Sequence, residues 1–213
     1  MPRTTPAPDK PAENSAVRPL ERTALRQEKI AAREALSPVQ HRCLSAAVAA
    51  NLTSLLQQCQ PRILGFCWPI RAEFDCRPLI ETWLAKGVPS CLPKVITPGA
   101  ALEFRAWRPD SEMLPDRYGI PYPATGEVLF PDVLLLPVNA FDALGYRLGY
   151  GAGYFDRTLA QLAAQKRPPL VIGVGFELAR VASIYPAAHD IPLDAVVTEG
   201  GVDVFSTRVP RCT

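Results

Sequence analysis

Apolar positions along the chain change their period several times, and each change marks an element. Between residues 20 and 36, Leu25, Ala32 and Leu36 recur at helical spacing with Ala24, Ala31 and Ala35 beside them, which predicts a helix with one apolar face. Ser37, Pro38 and Gln40 then stand as N-cap, N1 and N3 of a second helix, a capping box. Leu44, Val48, Leu52 and Leu55 give that helix a core stripe, and Pro61 closes it. Residues 63–67 read as a buried strand. Leu79, Ile80, Trp83 and Leu84 predict a third helix, with Asp75 as N-cap and Gly87 as stop. A strand over 88–92 follows.

Period two then takes over: Leu102, Phe104 and Ala106 alternate with Glu103 and Arg105, the pattern of a half-exposed edge strand. Residues 107–131 carry Pro109, Pro115, Pro121, Pro123 and Pro131, which predicts a long loop of the kind that serves as lid or binding loop. The apolar block 132–137 reads as a strand buried on both faces. Leu159, Leu162 and Ala163 predict a helix over 154–164. A strand over 170–174, a short helix or turn over 176–184 that Glu177 opens, a loop over 187–192 and a last strand over 195–197 complete the pattern. Helices and strands alternate, so the predicted fold class is α/β, a single three-layer α/β/α domain on a mainly parallel sheet. Residues 1–19 hold Pro2, Pro6, Pro8, Pro11 and Pro19 without an apolar core; they predict a disordered tail, not a secretory signal. The domain proper spans 20–199, and 200–213 predict a frayed tail.

Composition narrows the function classes. The 213 residues suffice for one real core. A net charge of +2 offers nothing to nucleic acid, and no apolar run reaches the length of a bilayer span. Cys43, Cys59, Cys67, Cys76, Cys91 and Cys212 form no C-x-x-C pair, and His41 and His189 are the only histidines, so no zinc site assembles. Reduced thiols in the cytoplasm are the expectation.

The chemistry concentrates between the predicted strand 132–137 and helix 154–164. Gly149, Gly151 and Gly153 occupy alternate positions there, with Arg147 before them and Asp156 after. Residues without side chains let backbone N–H groups approach an anion, and the helix start adds its positive dipole end. The Arg147 guanidinium offers a planar fork to a phosphate, and the Asp156 carboxylate suits a Mg²⁺ that bridges phosphate oxygens. The spacing excludes both a P-loop and the dinucleotide fingerprint G-x-G-x-x-G. A plain tight turn is the alternative for the glycines taken alone. The chain offers no Ser-His-Asp arrangement and no cysteine nucleophile.

The run from Arg147 to Asp156, R-L-G-Y-G-A-G-Y-F-D, resembles the R-L-G-x-G-x-G-Y-[YF]-D signature of the 5-formyltetrahydrofolate cyclo-ligase family. The likeness extends to Trp68–Asp75 upstream and to His189–Asp194 and Val197–Glu199 downstream. It implies an isomerase/CoA-transferase-like fold and ATP-dependent closure of 5-formyltetrahydrofolate to 5,10-methenyltetrahydrofolate, with Mg²⁺ as cofactor and no macromolecular partner, in a monomer. By this resemblance Arg22, Arg26, Arg147, Gly149, Gly151 and Gly153 bind ATP, Arg147 acting in catalysis. Trp68, Glu73, Tyr150, Gly151, Ala152, Gly153 and Tyr154 hold the folate, and Asp156 and Asp190 hold the metal, with Asp194 as rival to Asp190. Arg22 stands where the family has lysine. On any other helix the stripe Arg22, Arg26, Lys29, Arg33 reads as a solvated basic face. A non-catalytic nucleotide- or folate-binding relative and a sugar-phosphate isomerase are the competing function classes.

Overall fold

In the computed structural model residues 17–210 are described. The first helix, α1 (Val17–Glu34), begins before residue 20, and the remainder of the expected N-terminal tail lies outside the described residues. Helix α2 (Pro38–Cys59) starts on the predicted capping box: the Ser37 hydroxyl accepts the Gln40 amide while the Gln40 side chain accepts the Ser37 amide. Helix α3 (Arg77–Ala85) starts one residue later than an Asp75 N-cap requires. Cys76 takes the cap position, and the Asp75 carboxylate still accepts the Arg77 amide, together with its guanidinium.

Seven strands form the main sheet: β1 (Leu64–Gly65), β2 (Ser90–Lys94), β3 (Glu103–Trp107), β6 (Val133–Pro137), β9 (Leu170–Val174), β10 (Ala195–Thr198) and β11 (Gly201–Val204). Their order is β11-β10-β9-β6-β1-β2-β3. The five inner strands run parallel, and β3 and β11 are antiparallel edges. Strand β6 sits between β1 and β9, in register Leu64↔Val133 and Val133↔Leu170. A strand in that place buries both faces, which is why its sequence lacks alternation. Val133 and Leu135 join the layer of α2 and α3 on one side; Leu134 and Leu136 meet α4 (Tyr154–Ala164) on the other. The three-layer α/β/α expectation holds.

Two expectations fail. Residues 201–204 are not frayed: they hydrogen-bond along β10, and Phe205 and Ser206 donate to the Asp194 carbonyl. A polar alternation, Val202 and Val204 outward, sufficed for an edge strand but left no apolar run to read. Residues 107–131 are not an open loop. Strands β4 (Met113–Pro115) and β5 (Pro121–Pro123) form a hairpin whose prolines are tolerated because a two-stranded ribbon consists of edges. Asp116 accepts the Tyr118 and Ile120 amides and shapes its turn.

Candidate functional site

The chain does not pass from β6 straight into the glycine loop. It first folds a small ribbon, β7 (Ala140–Phe141) against β8 (Arg147–Leu148). The buried Asp142 carboxylate holds the ribbon's turn by accepting the Leu144, Tyr146 and Ile184 amides. Helix α1 lies across this end of the sheet, with Leu25 packed beside Ala140, Leu148 and Ile184. The loop thus emerges next to α1, at the carboxyl ends of the parallel strands, where α/β sheets place their ligands.

Within the loop, Gly151 has φ +99° and Gly153 φ +65°, left-handed values that favour glycine. Gly153 is the residue that starts α4. At Gly149 φ is ordinary and a Cβ would meet nothing within 4 Å, so the fold itself does not require glycine there. Arg26 of α1 closes on the loop from above, its Nε donating to the Gly149 carbonyl at 2.6 Å. Arg157 folds back from α4 to donate to the Ala152 carbonyl and lies over the Tyr154 ring.

Beneath α1 and beside the loop opens a cavity of about 400 Å³. Arg22, Arg26, Arg147, Asp156 and Asp190 all reach its wall, as do residues 149–154. Arg22 grips the Asp190 carboxylate at 2.5 and 3.2 Å, and Asp190 also accepts the Ala187 amide. Burial opposes the Asp190 charge, but these donors outweigh it and hold the carboxyl below its ordinary value. Arg147 is almost wholly buried; it donates to the Ile191 carbonyl at 2.8 Å and to Asp156 at 3.1 Å. Arg26 has its pKa lowered by burial and by Arg22, one turn away. Two guanidinium groups so placed repel each other until an anion lies between them. Among the described residues no three His, Cys, Asp or Glu side chains gather into a metal cage. Asp156 and Asp190 fit a hard cation only as partners of substrate oxygens, the manner in which Mg²⁺ is ordinarily held.

The other sequence candidates are placed differently. Trp68 is off the cavity wall, packed edge-on to Trp107 and under the Arg77 guanidinium. Glu73 is also off the wall: its buried carboxylate accepts the Tyr150 hydroxyl at 2.7 Å and the Ile70 amide at 3.0 Å. Burial pushes its carboxyl up, and those bonds only partly offset the shift. Asp194, the rival metal carboxylate, sits in a separate pocket, accepting the Val171 amide and facing Arg208 at 3.3 Å. Seven wall residues were not among the candidates: Ile70, Arg71, Tyr118, Ile120, Pro137, Phe155 and His189. Tyr118 arrives on the β4–β5 turn, its hydroxyl 3.5 Å from that of Tyr154. The local signal for it is Tyr118-Gly-Ile-Pro121, which resembles the family's G-I-P-x-P turn, although Tyr122 stands where glutamate is common. The basic stripe of α1 is not a solvated face at its end: Arg33 is buried at 4% exposure.

Comparison with known proteins agrees with this architecture. The model of the 5-formyltetrahydrofolate cyclo-ligase family matches residues 18–199. The 5-formyltetrahydrofolate cyclo-ligase of Escherichia coli K12 is 32% identical over 177 residues, covering 80% of this chain and 96% of that one. The Haemophilus influenzae protein of the same name is 27% identical, covering 81% and 94%. The solved structure of Aquifex aeolicus 5,10-methenyltetrahydrofolate synthetase superposes with a TM-score of 0.73 at 31% identity, over 86% of this chain and 92% of that one. Both ribbon and glycine loop fall within the matched span, and the chain belongs to the 5-formyltetrahydrofolate cyclo-ligase family.

Proposed function

We propose that the cavity takes ATP and 5-formyltetrahydrofolate and that the chain converts them to 5,10-methenyltetrahydrofolate, ADP and phosphate. The observation that carries this reading is the convergence of Arg22, Arg26, Arg71 and Arg147 with two carboxylates and the glycine loop around one cavity. The formyl carbon on N5 is an unreactive amide whose oxygen must leave. Transfer of the γ-phosphoryl group to that oxygen expels ADP and makes the carbon iminium-like. N10 then attacks, the C–O bond breaks with its electrons leaving on phosphate, and N10 gives up its proton. Such chemistry demands positioning and charge neutralisation rather than a protein nucleophile.

The chain's residues divide that work. Backbone amides of residues 149–153 and the guanidinium groups of Arg22, Arg26 and Arg147 face the phosphates. Asp156 and Asp190 would hold Mg²⁺ against the phosphate oxygens, where the ion supplies charge neutralisation. Arg147 aims the Asp156 carboxylate through its hydrogen bond, and Arg22 keeps Asp190 ionised and aimed. Tyr150, Tyr154 and Glu73 serve the pterin, with Tyr118 closing the outer side. Trp68 acts from behind the wall by packing against Trp107. The reading places the enzyme in the reducing cytoplasm; the five described cysteines are free, and no described helix is long and apolar enough to cross a membrane.

Mixing the protein with Mg-ATP and 5-formyltetrahydrofolate should produce the near-ultraviolet absorbance of the methenyl product. Omitting ATP should abolish it. Absorbance that grows equally without ATP, or never grows, overturns the reading.

A further inference from the structure

Phe205, Ser206 and Arg208 lie beyond residues 18–199, the span that the family model matches. All three nonetheless close on Asp194. The Phe205 and Ser206 amides donate to the Asp194 carbonyl at 2.9 and 3.2 Å. Arg208 donates through Nη2 to the Pro168 and Pro169 carbonyls at 3.0 and 2.6 Å, and its Nη1 stands 3.3 Å from Asp194 Oδ2. That same oxygen accepts the Val171 amide at 2.8 Å, while the Asp194 amide donates to the Val171 carbonyl at 2.9 Å. Asp194 is thus fastened to β9, to the turn ahead of β9 and to the segment after β11. Three residues earlier in the chain, Ile191 offers both main-chain groups to the charged pair of the cavity. Its carbonyl accepts Arg147 Nη1 at 2.8 Å, and its amide donates to Asp156 Oδ1 at 3.2 Å.

We propose that Arg208 and Asp194 are positioning residues for the phosphate-facing pair Arg147 and Asp156, and that they act through the main chain of Ile191. Asp156 Oδ1 receives both Arg147 and the Ile191 amide, so the direction of the carboxylate follows the place of residue 191. The link from 191 to 194 has little slack. Pro192 has a fixed φ, and the buried Leu193 donates to the Gly145 carbonyl at 2.8 Å. Where Asp194 is anchored therefore sets where Ile191 stands. The guanidinium of Arg208 pins two carbonyls and a carboxylate at once, a task for a planar fork of donors. Gly145, at φ +80°, brings the β7–β8 ribbon onto the same segment: a Cβ there would lie 2.8 Å from the Phe205 ring. Arg147 is carried by that ribbon, so both members of the pair are referred to one anchor. Misplacing such groups by about 1 Å is enough to slow a reaction that depends on positioning.

The inference rests on the reading of Arg147 and Asp156 given above, and two kinds of measurement separate them. Arg208 is the residue to change, since its side chain is 44% exposed and its loss leaves the bonds between Asp194 and Val171 standing. Arg208→Ala should lower kcat by about fivefold to tenfold and move the KM for ATP and for 5-formyltetrahydrofolate by less than about twofold, as when an interaction counts only in the transition state. Arg208→Lys keeps the charge without the fork and should recover part of the loss. In an Arg147→Ala background the same alanine should cost less than about twofold, because the group it positions is gone. Hydrogen exchange reads the alignment without turnover: residues 187–194 should exchange about tenfold faster in Arg208→Ala while β6 is unchanged. A kcat per folded molecule equal to that of wild type overturns the inference, even where Tm falls, since a bond that only stabilises predicts the Tm change alone. A loss that multiplies with that of Arg147→Ala, or unchanged exchange over 187–194, overturns it too. Should wild type make no methenyl product, the proposed reaction fails, and the exchange result still decides whether Arg208 fixes Ile191. Should Arg208→Ala not fold, Arg208→Gln carries the same measurements.

Discussion

At the scale of single residues, Arg147 holds two partners that no other side chain supplies, the Ile191 carbonyl and the Asp156 carboxylate. Arg147→Ala should therefore lower turnover by about a hundredfold, roughly 3 kcal/mol of transition-state stabilisation, by leaving Asp156 misaligned and the phosphates uncompensated. Steady-state rates at saturating ATP and folate check this, and unchanged turnover removes its assigned role. Glu73 and Asp190 show how environment sets charge. Both are buried carboxylates, yet Asp190 has a guanidinium at hydrogen-bond distance and falls below its ordinary pKa, while Glu73 has a phenol, an amide and Arg33 only at 3.8 Å, and rises. Desolvation wins where the nearest full charge is not in contact.

At the scale of elements, the glycine loop separates structural from functional demand. Gly151 stands at φ +99°, and a Cβ there would lie 3.3 Å from the Arg26 guanidinium. A valine at that position should displace Arg26 and raise the KM for ATP sharply. Gly149 has ordinary φ and open space, so Gly149→Ala should leave Tm unchanged within about 1 °C. If the backbone there faces a phosphate, the same alanine still raises the KM for ATP several-fold. Nucleotide affinities for the two variants beside wild type make the comparison, and normal ATP affinity in both dismisses the cradle. Much of this element was legible beforehand, because three glycines at alternate positions before an amphipathic helix are a local pattern. The preceding ribbon was not. Two-residue strands such as β7 and β8 carry no period, and Asp142 became their organiser only once Ile184 was brought beside it.

At the scale of the whole molecule, Arg22 and Asp190 join helix α1 to a loop 168 residues away. The depressed Asp190 carboxyl contributes stability that is present above its unfolded value, about 3.9, and is lost as pH falls through the lower folded one. The Tm gap between wild type and Arg22→Ala should accordingly be widest near neutral pH and shrink below about pH 4. Glu73 works with the opposite sign: its ionised form is the costly one, and acid relieves that cost as pH falls through its raised folded pKa. Melting curves from pH 7 to pH 3 on both proteins test the assignment. A gap that stays constant across that range means the ion pair does not clamp the helix.

The sequence by itself determined the elements whose signal is local: the capping box at Ser37, the stripe of α2, the unbroken apolar strand β6, the glycine loop and its helix. It also carried the family motif, and with it the reaction. Only the tertiary structure decided which carboxylates face the cavity, since Asp190 and Asp194 have equal standing in a list of residues. One meets Arg22 and the other turns inward to Val171 and Arg208. It likewise decided that Arg33 is buried and that Tyr150 stands before Glu73. The pairings of Tyr150 with Glu73, Arg33 with Tyr150 and Arg22 with Asp190 join residues 77 to 168 positions apart, set by how the helices cross the sheet ends, and no period of three or four residues contains that information.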